Sequence, residues 1–155
     1  MRALFIFLVI TSISALGQDV VFPRPEFIDE PCLWNKTLDT LLRLEKHPIL
    51  PEGRGTYTIP GITSPVQIAA TSEYYFLLDH SNPELPSKLE LYKVVAENAE
   101  RHLTLTGPEQ KRAQNLDVGV KRIGDNALQI IPSTHLDPGE YCFLIGLVSY
   151  SFSVQ

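Results

Sequence analysis

Asp79, His80, Asn82 and Glu84 crowd one short polar loop and offer oxygen and imidazole ligands, so they are the first place to look for a metal site. Their spacing matches neither the EF-hand calcium loop nor a zinc pair on a helix, and a solvated loop is the more ordinary account. No cofactor is implied. Cys32 and Cys142 are the only cysteines. In an oxidising compartment they invite one long-range disulfide, which chain entropy would credit with roughly 4 to 5 kcal/mol; two buried free thiols are the alternative. Neither cysteine sits in a Cys-x-x-Cys pair or beside a basic cluster, so nucleophilic chemistry has no local support. His47, His102 and His135 stand singly, and the chain lacks a Gly-x-Ser-x-Gly elbow, a phosphate loop or a His-Glu-x-x-His helix. Carboxylates that converge only in space remain the route to hydrolysis.

The most organised segment is Leu136-Asp137-Pro138-Gly139-Glu140-Tyr141-Cys142. Pro and Gly at adjacent positions suit a tight turn, and Tyr141 then enters a strand with its ring packed and its hydroxyl reaching back to the backbone, as in a tyrosine corner. The segment resembles the immunoglobulin signature Asp-x-Gly-x-Tyr-x-Cys, except that Cys142 comes one residue early and so points to the opposite face.

The elements around these residues read as strands. Thr56 to Ile59, Val66 to Ala70, Tyr74 to Leu78 and Ser149 to Val154 alternate or run apolar at strand length, and the last pairs large residues with serine as a half-buried strand requires. Lys88 to Val95 with Glu100 to Leu105, and Asp117 to Ile123 with Ala127 to Ile131, read as hairpins around polar tips. Leu38 to Glu45 is read as one strand, Asp19 to Phe22 as a lead-in strand along a sheet edge, and two prolines are taken to exclude a helix from residues 79–87. These runs number about eight to nine, with turn signals between them. The expectation is one all-β domain over residues 18–155, an antiparallel β-sandwich of immunoglobulin-like or jelly-roll-like kind.

Residues 1–17 combine one Arg, a short apolar run and small residues before Gln18, which predicts a secretory signal peptide and export to the periplasm or beyond. The run is too short to span a bilayer, so no membrane-spanning segment is expected after cleavage. The net charge is −5, and removing Arg2 makes the rest more acidic still. An acidic chain without basic clusters argues against nucleic acid as a partner.

Pro31-Cys32-Leu33-Trp34, the run Leu41 to Lys46, Ser64-Pro65-Val66, Leu89-Glu90-Leu91-Tyr92-Lys93 with Arg101 after the hairpin, Ile131-Pro132, the Leu136–Tyr141 segment and a closing Phe-rich strand occur in an order that resembles a group of exported Bacteroidetes proteins. That resemblance implies an exported β-sandwich and carries over no catalytic residue. The functional expectation is a non-catalytic interaction module of the bacterial cell envelope that binds a protein partner. The alternatives are a carbohydrate-binding sandwich using Trp34, Tyr57, Tyr74 or Tyr75, and a small periplasmic hydrolase.

Overall fold

A computed structural model describes residues 20–49, 55–107, 109 and 112–155. The signal segment expected over residues 1–17 and the first residue of the expected lead-in strand lie outside them. The fold is an all-β sandwich of two sheets, as alternation predicts, with 13 strands among the described residues rather than eight or nine.

The smaller sheet contains β1 (Cys32–Asn35), β2 (Thr40–Arg43), β6 (Tyr74–Asp79), β10 (Val118–Arg122) and β11 (Ala127–Pro132), in the order β10-β11-β6-β1-β2. The larger one contains β3 (Glu45–Pro48), β4 (Thr56–Pro60), β7 (Leu89–Glu97), β8 (Glu100–Thr104), β12 (Gly139–Ile145) and β13 (Val148–Val154), in the order β3-β13-β12-β7-β8-β4. β5 (Gln67–Ile68) adds to β13 in parallel, and β9 (Gln114–Leu116) adds to β7.

One of the extra strands has a plain cause. The run read as a single strand over Leu38 to Glu45 breaks at Leu44, because β2 pairs with β1 in the smaller sheet while β3 pairs with β13 in the larger one. Crossing between sheets costs one residue of ladder and creates two strands.

The sheets meet through one face each. Leu33, Phe76, Leu78 and Ile130 of the smaller sheet pack on Leu91, Tyr141, Phe143 and Phe152 of the larger one. Phe76 binds them together, its ring 5.0 Å from Phe143 and 4.7 Å from Phe152. Aromatic pairs at such separations add to plain area burial.

Both outer faces are also covered, which simple alternation does not anticipate. Residues 20–30 cross the outer face of the smaller sheet and bury Cys32, Trp34 and Leu77 beneath Val20, Phe22 and Phe27. The expected lead-in strand is therefore a strap over a face: no strand is assigned over residues 20–22, and Pro23 and Pro25 follow directly. On the other side β8 pairs with β7 only from Val95 to Glu97, while β9 occupies the same edge from Leu91 to Lys93. The β4–β8 ribbon is thus free to fold over the outer face, where Ile59 and Leu103 cover Tyr92, Val94, Cys142 and Leu144. Ser149, Ser151 and Ser153 are buried as well, so the last strand is not half-exposed as expected.

The loop before β7 closes with a 3-10 turn, Leu85–Lys88, in place of the helix-free loop expected. Pro86 sits in its first positions, where a missing N–H costs nothing.

Candidate functional site

The sequence-predicted residues do not gather into one site. Asp79 ends β6 and is buried, its carboxylate accepting from Arg24 Nε at 3.2 Å. His80 Nδ1 lies 3.1 Å from the carbonyl of Asn82, the Asn82 side chain accepts from the N–H of Glu84, and Glu84 pairs with Lys88. Each of the four has a partner of its own, and no group of three or more His, Cys, Asp or Glu among the described residues is placed to hold a metal. What organises this loop is Asp29, which the sequence reading passed over. Its carboxylate accepts from the Ser81 hydroxyl at 2.6 Å and the Ser81 N–H at 2.8 Å, and these bonds hold its carboxyl below the usual carboxylate range.

The expected disulfide is absent: Cys32 and Cys142 are free and buried. The pleat explains it. Leu33 and Tyr141 point into the main core, so their neighbours Cys32 and Cys142 point out of opposite sides of the sandwich. Burial pushes both thiols up to about 12.

The Asp137–Tyr141 turn forms a packed corner. Tyr141 is 1 % exposed, its hydroxyl donates to the Asp137 carbonyl at 2.6 Å, and its ring stacks on Phe152. Glycine suits position 139, whose φ of 156° is one that L side chains rarely adopt.

None of the aromatic candidates forms an exposed platform. Trp34 is 5 % exposed, stacked on Tyr75 at 5.5 Å with Phe22 edge-on to both. Tyr57 packs on the ribbon core and Tyr74 on the main core. Beside the strap lie two clefts, of about 300 and 400 Å³, one against Asp79 and the Ile123–Ala127 turn, the other against Trp34, Asp39 and Arg43.

A buried ionic cluster fastens the ribbon to the larger sheet; the sequence pattern included Arg101 but gave no sign of its burial or its partners. Arg101 of β8 is wholly buried and places Nη1 2.8 Å from Glu45 Oε2 and 3.8 Å from Glu140 Oε2. The Glu45 contact is an ion pair without hydrogen-bond alignment. Arg101 also donates to the carbonyls of Gly61 and Pro60 at 2.9 and 2.6 Å. Burial pushes the Glu45 carboxyl up, but Arg101, His47 and Ser64 together outweigh it and leave it below its ordinary value. The carboxylates of Glu45 and Glu140 are thereby committed to an internal cation, which is a structural use of charge.

The feature best suited to recognition is the edge of β10. In the β10–β11 hairpin the Ser133 N–H donates to Asp117 O, and the Ile123 N–H to Ala127 O. The register is unbroken between these pairs, from Val118 opposite Pro132 to Arg122 opposite Leu128. Because antiparallel pairs alternate, Gly119 and Lys121 exchange bonds with β11, whereas Val118, Val120 and Arg122 turn their N–H and C=O groups away from it. Pro132 fits this pattern, since it occupies a position that owes β10 no N–H. No strand pairs with that outward side among the described residues. Val120 is 48 % exposed and Ile131 of the neighbouring strand 40 %. An outward row of backbone donors and acceptors beside exposed apolar side chains is a template for an added strand. Sequence reading found the hairpin, but an edge is defined by the strand that fails to pair with it.

No family model, curated protein or solved structure matches the chain.

Proposed function

We propose that this domain is an exported, non-catalytic interaction module of the bacterial envelope that takes a protein partner by strand addition to the open edge of β10. The outward-turned backbone of Val118, Val120 and Arg122 carries this reading. Strand addition draws affinity from main-chain hydrogen bonds and needs no enclosed pocket, which suits a sheet whose aromatic residues are spent on packing. The leader-like residues 1–17 support export.

Val120→Pro tests the proposal selectively. It deletes one outward N–H and leaves the bonds to β11 intact, a substitution that edge strands accept. Mature tagged protein and this variant, shown by circular dichroism to be equally folded, are each used for capture from the native envelope. A partner recovered by the first and lost with the second supports strand addition, and equal recovery by both would exclude it.

A further inference from the structure

Resting on the edge reading above, we infer that the strand added to β10 is acidic: an extended polypeptide with apolar residues facing Val118, Val120 and Ile131, and carboxylates facing Lys121 and Arg122. Every other described lysine or arginine has an acid, a carbonyl or a ring against it. Among the described residues Lys121 and Arg122 have none, although the chain carries a net charge of −5 and is rich in acids.

Their placement specifies the partner further. Alternation puts Arg122 on the same side of the sheet as Val118 and Val120, and Lys121 on the other with Gly119. An added strand therefore meets a cation on each of its faces near the end of β10, and apolar surface before that. Gly119 leaves the outer face open beside Ile131, where an added Cβ would meet only the Ile131 carbonyl, at 3.8 Å. A bulky apolar side chain of the partner fits that gap. Asp117 and Asp125 lie beyond the two ends of β10 and leave the pairing length itself purely cationic. A second copy of this chain is a poor occupant, because it brings the same two cations into the seam and the same net negative charge behind them.

Two synthetic peptides of about eight residues, near the usual strand length, test the inference. One has a valine–threonine core with two glutamates at each end; its twin has lysines in their place, and the symmetry makes strand direction immaterial. Amide shifts of the isotope-labelled protein are followed during titration. The expected result is perturbation centred on Val118, Val120 and Arg122, at least tenfold tighter binding of the glutamate peptide, and reversal of that preference in the Lys121→Glu/Arg122→Glu double variant. Equal affinity for both peptides at this edge would overturn the acidic partner and leave strand addition standing. No perturbation of the edge by either peptide at millimolar concentration would overturn both. Concentration-dependent perturbation of the same amides without peptide, with a dimer in sedimentation, would replace the acidic partner by a second copy.

Discussion

Tyr141 shows how much one residue type in the right local setting can determine. Asp137, Pro138 and Gly139 make the turn, the next strand begins at once, and the Tyr141 hydroxyl then has the Asp137 carbonyl 2.6 Å away with no long-range adjustment. Removing the hydroxyl alone, Tyr141→Phe, should cost about 0.5 to 1.5 kcal/mol in urea denaturation, the net worth of one hydrogen bond. Tyr141→Ala should cost about 3 kcal/mol or more, because it also empties the space against Phe152. An alanine variant as stable as the parent would show that the ring is not packed there. This corner is legible in sequence because the turn and the acceptor of the Tyr141 hydroxyl lie within a few residues, even though Phe152 and Lys93, which pack on the ring, do not. Asp79, His80, Asn82 and Glu84 teach the reverse: proximity in sequence placed them in one loop, but Asp79 turns to Arg24 and Glu84 to Lys88, while His80, Asn82 and the Glu84 N–H satisfy one another.

Among elements, the β4–β8 ribbon most needs explanation, because it leaves the β7 edge in order to cover the sheet's outer face. Apolar residues hold its middle, and Arg101 fastens one end to Glu45 and Glu140. Arg101→Met would leave two carboxylates buried without their cation and should cost about 3 to 5 kcal/mol. The same clamp makes stability depend on pH. The folded carboxyl of Glu45 lies below its ordinary value of 4.5, so its contribution is complete above that value and is lost as pH falls through the lower folded one. Glu30 has the same sign: burial pushes its carboxyl up, and Lys46 and Arg43 more than offset this. Urea midpoints should therefore be level from neutral pH down to about 5 and fall below about 4.5. Glu45→Gln should be less stable at neutral pH and show a shallower acid decline. An unchanged decline in that variant would remove Glu45 from the account. None of this was readable beforehand, since Arg101, Glu45 and Glu140 lie far apart in sequence and each looks like an ordinary surface residue of a strand.

For the molecule as a whole, the decisive fact is that each sheet is covered on its outer side over the cysteine it carries there, so that Cys32 lies beneath the strap and Cys142 beneath the ribbon. Neither thiol should react with iodoacetamide at about pH 8 in the native protein, where both remain protonated and enclosed, and both should react in urea. Partial denaturation should label them in sequence, the first to react marking the cover that opens first. A linked peptide pair in non-reducing mass spectrometry would instead restore the disulfide and refute the separation of the two faces. By itself the sequence determined the β class, the hairpins and the Tyr141 corner, because strand alternation and turn chemistry are local and survive in any arrangement of neighbours. Only the tertiary structure decided which strand lies beside which: that the run through Leu44 changes sheets, that the two cysteines face apart, that Arg101 becomes an internal cation and that β10 is left open. These outcomes rest on pairings between residues distant along the chain, and the period-two pattern that reveals a strand is indifferent to which strand it joins.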